Sequence, residues 1–280
     1  MLRLSCALLL SLAVAGPAAA DTWEKTFATA GTPDLRLVAD DASVHVATWD
    51  RAAIGVRVTT VGWQIGPRGV HIAAVPSGDR LDLEVREPHF RLDFGWTRRS
   101  VLVEVRLPAK ADLDVRTGDG NITVAPLAGN IRLHTGDGDM DADRLSGTLE
   151  LTTGDGHVRA RGLDGALRAH AGDGPMEIEG RFEGLEVGTG DGSVVVTASE
   201  GSRLAAAWEM ESGDGRLVLR IPRTLKADLD IHTGDGRIDV ELPLEVAGTF
   251  GRSTVRGRLN GGGPPLRMRS GDGAIRIEPI

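Results

Sequence analysis

Eight aspartates recur in one setting, each between two glycines: Asp119, Asp137, Asp155, Asp173, Asp191, Asp214, Asp235 and Asp272. A row of carboxylates at a regular interval offers one kind of chemistry, the binding of hard cations, which take six to eight oxygens. The densest patch is Asp137-Gly-Asp139-Met-Asp141-Ala-Asp143, the place to look for an incidental cation. It lacks the glycine at loop position six and the closing glutamate of an EF-hand. Calcium β-rolls carry Gly-Gly-x-Gly-x-Asp at both turns of a coil, whereas here one turn per repeat holds a single aspartate. The expectation is therefore structural: each carboxylate folds back onto the N–H groups of its own turn, with no metal and no cofactor. Asp139 and Asp141 are expected to face outward beside His157 and Arg159 of the next repeat.

Other reactive residue types do not converge. His134, His170 and His232 fall at one position of the repeat but in non-adjacent copies, about 10 Å or more apart and too far to share one metal. No Gly-x-Ser-x-Gly, His-Glu-x-x-His or phosphate-loop pattern occurs. A polysaccharide-acting enzyme needs two carboxylates about 5–10 Å apart in a groove, and the outward acids here are interleaved with arginine. No catalytic residue is assigned.

The interval itself fixes more. The first glycines of the motif stand at Gly118, Gly136, Gly154, Gly172 and Gly190, 18 residues apart, and then at Gly213, Gly234 and Gly271 after steps of 23, 21 and 37. A fixed short period marks an array of stacked supersecondary units. Each copy reads apolar-x-apolar-x before the turn, as in Leu149-Glu-Leu-Thr-Thr153, and a second alternating stretch follows, as in Val158 and Ala160. Such alternation predicts half-buried strands. Stacked about 4.8 Å apart, the copies form two parallel sheets facing across a thin core, an all-β β-solenoid with an inward hydroxyl column. The flanking glycines are expected to supply positive φ. Asp-Gly is also a hairpin turn, so an antiparallel meander competes, but the unbroken period favours the solenoid. A left-handed hexapeptide helix is rejected because the repeat's seventh position is Asp. The outward column Asp114, Arg132, Glu150, Arg168, Glu186 alternates in sign, as cross-strand pairs prefer. The step of 37 predicts a degenerate coil around Thr249 to Asn260. Trp208 falls in an inward column, while Trp63, Phe94 and Trp96 are candidates to line a small groove.

Residues 1–20 read as a signal peptide: Arg3, an apolar run from Leu4 to Val14, then Ala18-Ala19-Ala20 before Asp21. Cys6, the single cysteine, sits too early in that run to be a lipoprotein anchor. Residues 21–105 keep a looser rhythm, an irregular β region or solenoid cap, and 106–280 carry the repeat. A net charge of −8 argues against nucleic acid or anionic membrane as partner. A periplasmic or secreted location is expected, and no second apolar segment of spanning length follows.

The run Leu-Pro-x-x-Ala-Asp-Leu-Asp-Val-x-Thr-Gly-Asp-Gly-x-Ile at 107–122, with the seven later turns, resembles the bacterial putative-adhesin family with β-strand repeats. That family is a domain of unknown function related to the adhesin head (GIN) domains. The resemblance implies an exported cell-envelope protein with a solenoid-like fold and supplies no catalytic residues. The expected function is a non-catalytic scaffold or binding surface, with an unknown envelope protein or glycan as partner. The alternatives are a polysaccharide-acting β-helix enzyme and a calcium-stapled β-roll.

Overall fold

A computed structural model describes residues 20–88 and 99–280. Residues 1–19 of the expected leader, Cys6 among them, and also Phe94 and Trp96 lie outside the described residues, while Ala20 already pairs with Val61. Every regular element described is a β-strand.

Alternation decides which way each side chain points. Leu149, Leu151 and Thr153 are buried while Glu150 is exposed, and the same parity holds in every copy of the motif. The central repeats comprise β8 (Asp112–Arg116), β9 (Ile122–Val124), β10 (Leu127–His134), β11 (Met140–Asp143), β12 (Leu145–Thr153), β13 (Val158–Ala171), β14 (Met176–Thr189), β15 (Val194–Ala198), β16 (Trp208–Ser212) and β17 (Leu217–Ile221). All their pairings are parallel. One ladder joins Leu113, Ile131, Leu149, Leu167, Leu185 and Trp208 side by side. The other joins Ile122, Met140, Val158, Met176, Val194 and Leu217. Parallel neighbours cannot be linked by a tight hairpin, and here the return strand of each repeat makes the crossover. The meander is thereby excluded. β13 and β14 run round the second corner and take part in both ladders, so the strands among the described residues form one 23-stranded sheet wrapped on itself. The arrangement is β-solenoid-like. Trp208 is fully buried and meets Phe182 edge-on, with centroids 6.4 Å apart.

Stacking order departs from chain order at both ends. Near the N-terminus, β2 (Asp34–Ala39) lies between β6 (Arg80–Arg86) and β8, and β3 (Ser43–Thr48) lies between β7 (Ser100–Leu107) and β9. Antiparallel strands close this end: β4 (Ala53–Val61) on β7, β1 (Ala20–Ala28) on β4, and β5 (His71–Ser77) on β6. At the other end, β22 (Pro265–Ser270) and β23 (Ile275–Pro279) insert between β16/β17 and the pair β18 (Ala227–Thr233) and β19 (Ile238–Val240). The degenerate coil expected around Thr249 to Asn260 is instead a hairpin of β20 (Glu245–Phe250) and β21 (Thr254–Leu259), packed antiparallel on β18. Gly251 N–H donates to Thr254 O at 2.9 Å and reverses the chain there, so the extra residues cap the array.

Insertion of the last coil puts the outward charges in order. In space the column reads Asp82, Arg36, Asp114, Arg132, Glu150, Arg168, Glu186, Glu209, Arg267, Asp230, Arg256. Arg267 bonds Glu209 at 2.6 Å and Arg256 bonds Asp230 at 3.0 Å. Sequential stacking would set Glu186, Glu209 and Asp230 side by side, and like charges directly opposite destabilise a sheet. One like-charge step survives, Glu186 beside Glu209, and each of these carboxylates has its own arginine.

Two measurements check this architecture. Leu151→Asp leaves an unpaired charge in the core and should cost about 3–5 kcal/mol or unfold the array, whereas Thr152→Asp, pointing outward, should melt within a few degrees of the parent. For coil order, the double variant Glu209→Cys/Arg267→Cys should form a disulfide, since in-register neighbours lie ~4.8 Å apart, within bonding range. Glu209→Cys/Asp230→Cys should stay reduced. A disulfide in the second pair and none in the first would establish sequential stacking.

Candidate functional site along the Gly-Asp-Gly edge

The repeated turns stack into one edge of the molecule. Within it the first glycine of each turn donates its N–H to the carbonyl of the first glycine one coil back, as Gly154 to Gly136 and Gly172 to Gly154. The series starts on Asp40 O and continues through Gly213 and Gly271 to Gly234. The inward hydroxyl before each turn reaches two carbonyls of the neighbouring turn. Thr135 Oγ1 lies 3.0 Å from Gly118 O and 2.8 Å from Gly120 O, and Thr189 Oγ1 lies 3.0 Å from Gly172 O. In three of the described turns the hydroxyl also accepts the N–H of its own second glycine: Gly215 N–H donates to Ser212 Oγ at 2.9 Å, Gly273 N–H to Ser270 Oγ at 3.0 Å and Gly236 N–H to Thr233 Oγ1 at 3.2 Å. Ala171 leaves the hydroxyl column one gap.

The glycines are there for proximity, which corrects the expectation of positive φ. None of those flanking the turn aspartates is among the positive-φ residues. A Cβ on Gly156 would instead fall under 3.0 Å from Gly138 O, and the same clash recurs at Gly138, Gly174, Gly192, Gly215 and Gly273. Positive φ is used at the second corner, where Gly129, Gly147 and Gly165 stack with φ of 154, 116 and 131°.

The eight turn aspartates stand along this edge with exposed side chains. Their spatial order is Asp119, Asp137, Asp155, Asp173, Asp191, Asp214, Asp272, Asp235, because the last coil is inserted. A ninth carboxylate precedes them: Asp41 sits at the β2–β3 turn, and its Oδ1 accepts the N–H of Asp119 at 3.3 Å. The fragment Leu35-Arg-Leu-Val-Ala-Asp-Asp-Ala-Ser-Val carried the signal, alternation followed by a small-Asp-Asp-small turn. Carboxylate bonding also differs from expectation. Asp173 Oδ1 accepts from Asp191 N–H at 3.3 Å, as Asp41 Oδ1 does from Asp119, so these two reach the next coil rather than their own turn. Unscreened neighbours ~4.8 Å apart in water repel by just under about 1 kcal/mol per pair, and the backbone and hydroxyl bonds beneath must offset that.

Asp137, Asp139, Asp141 and Asp143 do not converge. Asp139 Oδ1 accepts His157 N–H at 2.9 Å, Asp141 lies in register with Arg159, and Asp143 pairs with Arg144 at 2.9 Å. Among the described residues no group of three or more His, Cys, Asp or Glu side chains is arranged to hold a metal ion. His134 and His170 are separated in register by Thr152, and His232 lies beside Arg269. Trp63 packs against the core with the Arg99 guanidinium 4.3 Å from its ring centroid. At the N-terminal end of the edge, burial pushes the Glu87 carboxyl above its ordinary range, and Asp41 and Asp40 push it further.

The edge is thus an anionic strip of exposed carboxylates. Thermal melts in EDTA and in millimolar calcium should nearly coincide. A calcium-dependent gain of about 10 °C, equivalent to a few kcal/mol for a chain of this size and lost stepwise as Asp137, Asp155 and Asp173 become Asn, would identify a metal-stapled roll.

Comparison with known proteins bears on the fold. No curated protein matches the chain. A structure from Parabacteroides distasonis described as a "putative lipid binding protein" is 12% identical, covers 92% of this chain and 96% of its own, and superposes with a TM-score of 0.50. A "putative cell adhesion protein" from Clostridium sporogenes is 13% identical over 94% of this chain and 100% of its own, with a TM-score of 0.33. A "putative adhesin" from Bacteroides fragilis is 8% identical over 92% and 97%, with a TM-score of 0.33. The model of the Toastrack DUF4097 family matches residues 34–278, which take in the repeat, its inserted last coil and most of the N-terminal cap, and the chain belongs to that family.

Proposed function

We propose that this protein is an exported, non-catalytic β-solenoid of about 18 residues per coil that serves the cell envelope as a scaffold or binding surface, adhesin-like in kind. The observation that carries this reading is the use of the motif itself. Its glycines are consumed by close stacking, its hydroxyls by carbonyls of the next coil, and its outward arginines by carboxylates. What repeats is therefore folding chemistry, and the product is a long, rigid, regular surface. Family membership and the adhesin-named structures agree with a binding role whose partner is an envelope protein or glycan. No described helix is long and apolar enough to cross a membrane.

The enzyme alternative rests on paired carboxylates. Glu186 and Glu209 are in register, yet Arg168 holds the first at 2.8 Å and Arg267 the second at 2.6 Å. A carboxylate bound to a guanidinium is poorly placed to carry the proton that glycoside cleavage requires.

The export reading rests on the leader-like residues 1–20; Asp21, the residue after the expected cleavage site, is held in the cap, its carboxylate accepting the Ile65 N–H at 2.9 Å. Expressed in a Gram-negative host, the protein should fractionate with soluble periplasmic or secreted material, and intact mass should place its N-terminus at Asp21. Membrane retention with lipid on Cys6 would overturn the location. Turnover of any polysaccharide that a single Glu or Asp variant abolishes would overturn the non-catalytic reading.

A further inference from the structure

We infer that the outer face of the N-terminal cap carries a saccharide-binding platform built on Trp49. Among the aromatic side chains described, Phe27, Phe182 and Trp208 belong to the core, and Trp23 and Trp63 pack against it. Trp49 does neither. It is half-buried on the outward side, where β3 leads into β4.

Two features seat the ring there. Its Nε1–H donates to Ala53 O at 2.9 Å, which fixes the indole's orientation. Gly55 lies on the outward face of β4, between Thr26 of β1 and Arg106 of β7. A Cβ at Gly55 would stand 2.5 Å from Cη2 of the indole. Gly55 has no positive φ, so the backbone does not demand glycine at that position; the ring does. The Arg51 guanidinium, 5.1 Å from the ring centroid, adds a cation–π contact.

Polar side chains surround the indole in a shallow depression lined by Glu24, Thr26, Arg57, Glu104 and Arg106. Its interior of about 30 Å³ has room for one or two hydroxyl-sized groups. Glu24 and Arg57 bond each other at 2.9 Å. Glu104 and Arg106 sit two residues apart on β7, facing the same way, and Glu104 is in register with Arg57, whose guanidinium bonds Glu24. Carboxylates and guanidinium groups set side by side offer acceptors and donors together. Vicinal hydroxyls of a pyranose, which both donate and accept, complement that arrangement, while the exposed part of the half-buried indole offers apolar contact to the sugar's C–H groups. The carboxylates oppose a nucleic-acid strand, and an interior of about 30 Å³ has no room for a lipid tail.

The inference rests on the reading of the chain as a binding scaffold and names the class of ligand. The test is calorimetric titration of the mature protein with cello-, chito- and polygalacturonate tetrasaccharides. Saturable binding to at least one is expected. Arg106→Gln should weaken it about 10-fold, roughly 1.4 kcal/mol, with an unchanged melting temperature, and Trp49→Ala should abolish it. Glu179→Gln, on the same ladder but far along the array, should leave it intact. No saturable binding to any probe, or binding that Arg106→Gln leaves unchanged, would overturn the platform while the scaffold reading stands. Release of reducing ends during titration would keep the platform and overturn the non-catalytic reading.

Discussion

The closeness of successive backbones at the Gly-Asp-Gly corner is the constraint on which the rest of the molecule depends. At Gly138, Gly156, Gly174, Gly192, Gly215 and Gly273, a single added methyl would fall under 3.0 Å from a carbonyl one coil back. That contact cannot be relieved by a rotamer change, because both sides are backbone. It sets the pitch of the stack, and the pitch aligns the inward leucines, valines and methionines into continuous columns. It also places each Thr or Ser hydroxyl within reach of two carbonyls of the next turn. Buried carbonyls left without donors are costly, so the hydroxyl column completes what the tight corner begins.

The same constraint shapes the surface. Coils at a fixed pitch present their outward side chains in straight columns, so each charge has set neighbours on either side. Individually these exposed pairs contribute little, about 0.2–1 kcal/mol. Their effect is on choice between alternatives. Every coil offers a similar apolar interior and a similar turn, so the interior hardly distinguishes one stacking partner from another. Arg267 between Glu209 and Asp230, Arg276 near Asp239, and Glu278 on Arg220 make the inserted position of the last coil electrically favourable. Alternating charge thus acts as address information in a fold whose core carries almost none.

Rigidity of this kind suits presentation more than catalysis. A reactive site needs groups held in unequal environments, one acid protonated beside another ionised. A regular array gives equivalent positions equal environments. Departures from regularity are therefore where specific recognition belongs, and they concentrate at the caps. There the strands turn antiparallel, Gly55 yields space to Trp49, and Glu87 sits half-buried beside Asp40 and Asp41.

Much of this was legible in the residues. Strict alternation at positions such as Leu149, Leu151 and Thr153 names the buried face, because a strand's period of two admits no other register. The 18-residue interval names the array, and Trp208 could be assigned to the core from its column alone. The conformational reason for the turn glycines was not legible, since a glycine required by φ and one required by a neighbouring backbone look identical in a sequence. The turn of Asp41 was marked by alternation alone, because it lacks the glycines that flag the others. The tertiary structure alone decided the order of the coils. The run Lys-Ala-Asp-Leu-Asp occurs at 110–114 and again at 226–230, yet the first copy lies inside the stack, flanked by β2 and β10, and the second bears the closing hairpin. Identical local sequences form identical strands. Which neighbours they meet is set by long-range charge matching and by where the chain's two ends can dock.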